Sequence, residues 1–517
     1  MTLTPVTFEP ATPSQADEPP LRKPKKPKMD VYASVRWSAL SKYGTQGMQF
    51  AISMVLARLL APEYFGLLGM AMVITGFVQI FKNLGFNSAI VQRKQLSHDL
   101  LSTLFWVNLT VCLLMGLVVL GIAPLAALLY DDNRVTPVIA VLAVNFVFAG
   151  FTMIPSALLQ RRMEFKKLAI RELGGVITAG LTAVPLAYLG WGVWALVASS
   201  LTSSAAQMVL INLAVPFRPR FVFDRIGLSE CFRFGINLTG FNFFNYFARN
   251  ADNLIIGVFL GPVALGYYSV AYKLMLLPRD SITSVITRVL FPAFSKMQDD
   301  DDRLANAYLR ACGAIAMITF PMMIGLAVLA DPFVRVVLGE KWLSAVPLIW
   351  ILAPLGAIQS LWNTAGQLFL AKGRADLHFR LGVIGGILFV CSFLAGVPWG
   401  VTGVALAYAV ACLCWIPFWF KVAFSLVGPL SLRLFARTIR PHVANSIIMG
   451  ASMLLVQLIF DLYELNSSAA LALNVPTGVL LYGMLVVRCK SAVVDDLVKL
   501  APSSLSNFFF AFGAGRG

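Results

Sequence analysis

The chain has 517 residues, of which 58% are hydrophobic and only 13% are charged, and its mean hydropathy is +0.77. Soluble domains carry about 25% charged residues, so this composition excludes a soluble enzyme or binding domain and indicates an integral membrane protein. The net charge of +16 does not indicate a nucleic-acid partner, because basic residues in cytoplasmic loops account for it.

Cysteine and histidine do not form a recognisable site. The seven cysteines are scattered, and the three histidines (His98, His378 and His442) lie at the ends of predicted spans. Neither set has metal-ligand or disulfide-framework spacing. We therefore expect no metal site, no catalytic residue and no bound cofactor.

The chain begins with a polar tail that contains Arg22-Lys-Pro-Lys-Lys-Pro-Lys28 and lacks the apolar core of a signal peptide. Such a run anchors to anionic headgroups and orients the first span. Fourteen apolar segments of spanning length follow. They are approximately 36–60, 65–88, 101–122, 136–158, 169–189, 192–214, 234–260, 264–290, 310–329, 345–369, 381–396, 400–420, 441–460 and 468–487.

The distribution of basic residues supports this layout. Of the 41 lysines and arginines, 32 fall on the side of the amino terminus, including Arg171 at the edge of the fifth segment, and three fall on the opposite side. This asymmetry follows the positive-inside rule. We therefore expect a multi-pass protein of the cytoplasmic membrane with both termini in the cytoplasm.

The chain also repeats itself. Leu60-Ala-Pro-Glu-Tyr-Phe-Gly66 has a counterpart in Leu260-Gly-Pro-Val-Ala-Leu-Gly266, and Trp191-Gly-Val and Trp399-Gly-Val stand in the same order. An even number of spans in each half makes the repeats parallel. The predicted fold is all-α, with two parallel six-helix repeats that form a V-shaped pair of bundles and two additional helices. The predicted domains are a cytoplasmic tail (1–35), an N-terminal bundle (36–218), a C-terminal bundle (219–425), two extra transmembrane helices (426–488) and a second cytoplasmic tail (489–517).

The seventh span carries a polar stripe. Asn242, Asn245, Arg249 and Asp252 recur at helical spacing on an otherwise apolar segment. If Gly261-Pro262 is a tight turn, Asp252 and Lys273 both lie ~15 Å below it at ~1.5 Å per residue. That depth is the middle of a membrane ~30 Å thick.

Two interpretations of these ionisable residues stay open. Charged groups at mid-membrane normally face a polar cavity or one another. Arg249, Asp252 and Lys273 either line a cavity, or Arg249 and Asp252 neutralise each other and fix helix packing. The extra positive charge of Lys273 favours the cavity.

Two stretches resemble a known family. LARLLAPEYFGLLGMAMVI (56–74) and RNADNLIIGVFLGPVALGYYSVAYKLMLLP (249–278) are similar to the polysaccharide exporters of the multidrug/oligosaccharidyl-lipid/polysaccharide (MOP) transporter superfamily, in particular the Wzx-type flippases. The resemblance spans roughly residues 31–490. It implies a transporter, not an enzyme, that moves an oligosaccharide on undecaprenyl diphosphate across the cytoplasmic membrane for surface polysaccharide, exopolysaccharide or lipopolysaccharide synthesis. It also implies a polysaccharide polymerase and glycosyltransferases as partners, besides the membrane lipids themselves.

A diphosphate passenger requires a positively charged, hydrated cavity. Arg249, Lys273 and Arg279 are the predicted headgroup cations, with Asn242 and Asn245 beside them. Lys42 and Lys82 either line the cytoplasmic entry or extend to the lipid headgroups. Asp252 and Asp280 are candidate sites for a coupling proton or sodium ion, and local pairing with Arg249 and Arg279 is the alternative. The rival functions are a drug/cation antiporter of the same superfamily and a membrane glycosyltransferase or polymerase.

Overall fold

A computed structural model describes residues 31–79, 86–93, 96–463 and 466–488. Every regular element in these residues is a helix, which confirms the all-α class. The α-helices are α1 (Val31–Leu59), α2 (Pro62–Gln79), α3 (Phe86–Gln92), α4 (His98–Tyr130), α5 (Val135–Leu142), α6 (Val144–Arg161), α7 (Phe165–Tyr188), α8 (Val193–Ala214), α9 (Arg225–Lys296), α10 (Asp301–Val328), α11 (Ala330–Phe333), α12 (Val346–Ala371), α13 (Ala375–Gly396), α14 (Gly400–Phe424), α15 (Leu432–Leu462) and α16 (Ser467–Arg488). A π-helical turn (Val334–Leu338) and a 3₁₀ helix (Glu340–Ala345) lie between α11 and α12, and a 3₁₀ turn (Val397–Trp399) precedes α14.

Within the described residues, ten helical stretches are long and apolar enough to cross a membrane. Two of them, Arg249–Arg279 and Ala375–Phe424, each overlap two of the predicted segments. The two predicted segments outside these ten correspond to α1 and α2. A multi-pass membrane protein is therefore confirmed, while the count of fourteen spans stays a prediction.

The helix α9 reverses direction at Gly261. This glycine has φ 79° and ψ −178°, a conformation that is accessible to glycine and strained for other residues. The hydroxyl of Tyr268 donates a 3.0 Å hydrogen bond to the carboxylate of Asp252, sixteen residues earlier. In a straight helix these residues would be ~24 Å apart. The first limb of α9 (225–260) and the second limb (262–296) are therefore two antiparallel helices joined by a tight turn, as the Gly-Pro pair predicts.

The two halves of the chain meet through a reciprocal contact. A Cβ built on Gly66 would lie 1.7 Å from the carbonyl oxygen of Pro262, and a Cβ on Gly266 would lie 2.0 Å from the carbonyl oxygen of Pro62. Equivalent residues of the sequence repeat therefore touch across a local two-fold relation, as expected for parallel repeats. We call the end of the molecule that carries 60–66 and 260–266 the turn end.

An extended linker (215–224) connects the halves and is hydrogen-bonded to α4. Thr103 is central to this attachment: its hydroxyl accepts from the backbone N–H of Asp224 (2.8 Å). The same hydroxyl shares its proton between the carbonyls of Asp99 (2.9 Å) and Val222 (3.0 Å). The indole of Trp106 donates to the carbonyl of Arg220 (3.1 Å) and stacks on Phe221, with the ring centroids 4.5 Å apart. Four contacts from one helical face thus hold the start of α9.

Candidate functional site

The turn end is closed by side chains from both halves. Trp342, fully buried in the 3₁₀ helix before α12, donates a 2.7 Å hydrogen bond from its indole nitrogen to the carbonyl of Ala57 in α1. Its ring meets Phe65 of α2 edge-on, with centroids 5.3 Å apart. The guanidinium of Arg58 donates to the carbonyl of Val336. Together with the Gly66–Pro262 contact, these interactions seal this end of the boundary between the halves.

Lys273 lies deeper along the same boundary. Its ammonium group donates a 3.0 Å hydrogen bond to the hydroxyl of Ser53 in α1, so it connects the second limb of α9 to the first half of the chain. Counting from Pro262 and Pro62 at ~1.5 Å per residue, Lys273 is ~16 Å and Ser53 ~14 Å from the turn end. Lys273 is an exposed residue, and this count puts it at mid-membrane depth.

Arg249 projects from the first limb of α9 beside the same boundary. The hydroxyl of Tyr246, three residues earlier, donates a 2.7 Å hydrogen bond to the carbonyl of Val73 in α2, so that side of the limb contacts the first half. Asp252, three residues later, contacts the second limb. At 100° per residue, Arg249 lies about 60° from each of these two contact directions. Its side chain is exposed and is directed between α2 and the second limb.

The carboxylate of Asp252 is buried and satisfied within the α9 hairpin. Asp252 is 3% exposed and Tyr268 is fully buried. One carboxylate oxygen accepts the Tyr268 hydroxyl at 3.0 Å, and the other accepts the backbone N–H of Asn253 at 2.7 Å. Tyr268 also stacks on Tyr272, with ring centroids 5.5 Å apart. The partners of Asp252 are thus hydrogen-bond donors of its own hairpin rather than the guanidinium of Arg249.

Arg279 does not share the location of the other two cations. It is 8% exposed, and its guanidinium donates a 2.8 Å hydrogen bond to the side-chain carbonyl of Gln359 in α12. The amide of Gln359 in turn donates to the hydroxyl of Tyr408 in α14 at 2.9 Å. Arg279 therefore belongs to the polar interior of the second bundle, and the sequence prediction that it lies with Arg249 and Lys273 differs from this geometry. The helix carries it about 1.7 turns beyond Lys273, where Gln359 of α12 accepts its hydrogen bond.

The remaining predicted site residues are only partly described. Lys42 lies in α1 and is half-buried, and it already interacts with another residue of the chain. Lys82 lies outside the described residues. The backbones of Asn242, Asn245 and Asp280 belong to α9, but their side chains lie outside the described part of the structure.

The site therefore combines two exposed cations with a closed turn end. Arg249 can make bidentate hydrogen bonds to an oxyanion, and Lys273 supplies a point charge. Trp342, which holds the closed end together, is not singled out by the sequence. In the sequence it is simply a tryptophan in the short segment after Gly339, with no motif around it.

The membrane-length helices and the contact between the two repeat segments define a polytopic membrane protein built from two related halves. Solved structures of transporters share this fold. "Lipid II flippase MurJ, inward closed conformation" aligns with a TM-score of 0.70 at 13% sequence identity, covering 87% of this chain and 98% of that one. An inward-facing multidrug resistance MATE family transporter of the MOP superfamily aligns with a TM-score of 0.58 at 16% identity, covering 76% of this chain and 100% of that one.

The chain belongs to the family described as "Polysaccharide biosynthesis protein", whose pattern matches residues 55–347. It is 30% identical over 380 residues to the lipopolysaccharide biosynthesis protein WzxC of Escherichia coli K12, covering 73% of this chain and 77% of that protein. It is 29% identical over 475 residues to the teichuronic acid biosynthesis protein TuaB of Bacillus subtilis 168, covering 91% of this chain and 98% of that protein. The protein is therefore a multi-pass membrane protein of the polysaccharide biosynthesis family.

Proposed function

We propose that this protein is an alternating-access flippase that moves an oligosaccharide linked to undecaprenyl diphosphate across the cytoplasmic membrane. The observation that carries the proposal is the pair of exposed cations, Arg249 and Lys273, beside the boundary between the two halves. Charged side chains in a membrane segment are retained where they face a polar pathway or a charged ligand. Relatives named as a succinoglycan transport protein of Rhizobium meliloti and as polysaccharide biosynthesis proteins support this assignment.

The chemistry of the passenger explains the charges. A diphosphate headgroup is anionic and hydrogen-bonds strongly to guanidinium and ammonium groups. It would enter between α1, α2 and the two limbs of α9, while the lipid tail stays in the bilayer. A cation antiporter, the rival function, needs unpaired acidic residues in its cavity. The exposed residues at this depth are cations instead, and the carboxylate of Asp252 already accepts two hydrogen bonds.

The proposal also gives the transporter a direction. The excess of lysine and arginine in alternate loops assigns both termini to the cytoplasm by the positive-inside rule, so the closed turn end faces outward. The headgroup then loads from the cytoplasmic side, and opening of the turn end releases it on the outer side. A polymerase and glycosyltransferases acting on the same lipid carrier are the proposed partners.

The coupling ion is a separate proposal. Asp252 and Asp280 are the acidic residues of the α9 limbs at membrane depth, and each is a candidate to take up a proton or sodium ion during the cycle. Asp252 has the clearer role of the two, since a protonated Asp252 could donate to the Tyr268 hydroxyl while it still accepts from the backbone N–H of Asn253.

Export and flipping assays test the function. In a host that lacks its own flippase for the polysaccharide, we expect Arg249→Ala and Lys273→Ala to abolish surface polysaccharide at unchanged protein level in the membrane. Arg374→Ala is the matched control, because Arg374 is an exposed arginine paired with Asp376 away from the boundary. Normal export by both boundary variants, or equal loss in the control, would remove these cations from the mechanism.

A further inference from the structure

The first half of the chain contains a polar cavity of its own. It has a volume of about 190 Å³, below the ~300–1,000 Å³ typical of pockets for drug-sized ligands, and thus matches one sugar ring rather than an oligosaccharide. The cavity lies among α2, α6, α7 and α8. Its polar lining includes Gln79, Asn145, Thr152, Arg171, Ser204 and Gln207.

Two of these groups have unused hydrogen-bonding capacity. The side-chain oxygen of Asn145 and the Nε–H of Arg171 are buried and have no hydrogen-bond partner among the described residues. Their other atoms are held in place: the amide nitrogen of Asn145 donates to Ser200 at 3.2 Å, and a terminal nitrogen of Arg171 donates to Ser156 at 2.8 Å. Buried polar atoms normally have partners. An acceptor and a cationic donor without partners therefore belong to residues that line the cavity. A terminal nitrogen of the same guanidinium lies 3.4 Å from the carboxylate of Glu172.

A glycine sets the spacing of two helices at the cavity. A Cβ on Gly175 would lie 2.7 Å from the Cγ of Gln207, so the small residue lets α7 and α8 approach and brings Gln207 to the wall. The cavity also adjoins the boundary between the halves, because Gln79 follows Gly76 by less than one helical turn. A Cβ on Gly76 would lie 2.6 Å from the hydroxyl oxygen of Tyr246 in the second half.

We propose that this cavity binds one carboxylate-bearing sugar ring, such as a hexuronate, of the transported glycan. Hydroxyl and amide side chains match the hydroxyls of a pyranose, and Phe148 supplies an apolar wall for the ring face. The single guanidinium adds a charge-assisted hydrogen bond to a carboxylate. The inference rests on the proposed function, since it makes the pocket a glycan subsite separate from the diphosphate cations.

Saturation-transfer NMR on the purified full-length protein tests this directly. Glucuronate is the probe, with glucose and inorganic phosphate as comparison ligands at equal concentration. We expect saturation transfer to glucuronate, weaker transfer to glucose, and no displacement of glucuronate by phosphate. Arg171→Gln should weaken glucuronate binding about tenfold or more, while Lys167→Gln, on the same helix and paired with Glu164 at its exposed start, should leave it unchanged.

A second variant keeps the test independent of charge and folding. Ser204→Leu fills the cavity and should remove binding of both sugars. The absence of transfer to glucuronate, its displacement by phosphate, or undiminished binding in both Arg171→Gln and Ser204→Leu would overturn the subsite. Lys273→Ala should retain glucuronate binding while losing export, so failure of the subsite is distinguishable from failure of the flippase function.

Discussion

The carbonyl oxygen of Pro262 occupies the place that a side chain on Gly66 would need, since an ideal Cβ on Gly66 would lie 1.7 Å from it. The symmetric pair, Gly266 and Pro62, has the same relation at 2.0 Å. Each helix that starts with proline therefore presses its first turn against the glycine of its repeat counterpart. Such close backbone approach requires glycine on both sides, which explains why both copies of the repeat have glycine four residues after proline.

We expect Gly66→Ala and Gly266→Ala to impair the protein equally. Each methyl group would overlap a backbone atom, and overpacking of this kind costs about 1–3 kcal/mol. In the proposed cycle it would also prevent closure of the turn end. The measurements are thermal inactivation of the purified protein and export of polysaccharide.

Gly121→Ala is the control for this pair, because a Cβ on Gly121 has no other atom within 4 Å. It should behave as wild type. A defect in only one of the two boundary variants would show that the reciprocal contact is not used symmetrically.

Trp342 should contribute to closure in two separable ways. Trp342→Phe keeps an aromatic ring against Phe65 and removes the hydrogen bond to Ala57, which should cost about 0.5–1.5 kcal/mol of unfolding free energy. Trp342→Ala also empties the site and should cost about 3–5 kcal/mol. Titration of the purified protein with denaturing detergent measures both.

Trp399→Ala provides the comparison, since Trp399 is 75% exposed and its truncation should stay within about 0.5 kcal/mol of wild type. Equal effects of the phenylalanine and alanine variants at position 342 would mean that ring packing adds nothing.

Much of this architecture could be predicted from local pattern. Hydropathy locates the helices, and the Gly261-Pro262 pair predicts the reversal of α9 because only that backbone geometry joins two spans without a polar loop. The repeat of Pro and Gly predicts which segments meet. The location of Arg279 could not be predicted in the same way, because hydropathy does not report that Gln359, eighty residues later, covers it.

Arg171 shows a second limit of sequence reasoning. Its neighbours Lys166 and Lys167 give it the pattern of a loop at the membrane edge. The helix α7 begins at Phe165, however, so Arg171 lies more than one turn inside, with its side chain only 19% exposed. Helix boundaries are set by capping and tertiary contacts that hydropathy does not register. The polar residues that line the cavity also come from four separate helices and share no sequence motif, so no local pattern predicts the cavity.

The linker between the halves should depend on Thr103. Thr103→Val keeps the shape of the side chain and removes the hydroxyl that donates to Val222 and accepts from Asp224. Loss of a hydrogen bond at this part-buried N–H should cost about 0.5–1.5 kcal/mol, so we expect a lower unfolding free energy and a linker that is cleaved faster by protease. Thr477→Val is the control, because its hydroxyl bonds only within its own helix. Unchanged cleavage would show that Trp106 and the start of α9 hold the linker without Thr103.

Single and double variants of Asp252 and Arg249 distinguish the two interpretations of the polar stripe. Asp252→Ala leaves the buried Tyr268 hydroxyl without its acceptor and should cost about 1–3 kcal/mol, whereas Asp252→Asn retains an acceptor and should cost less. Arg249→Ala, at an exposed position, should change stability by less than about 0.5 kcal/mol. If the two residues are independent, the double variant Arg249→Ala/Asp252→Ala should be as unstable as Asp252→Ala, with a coupling energy below about 0.5 kcal/mol. Recovery of the lost stability in the double variant would mean instead that Arg249 and Asp252 neutralise each other, and the role of Arg249 as a headgroup cation would then have to be abandoned.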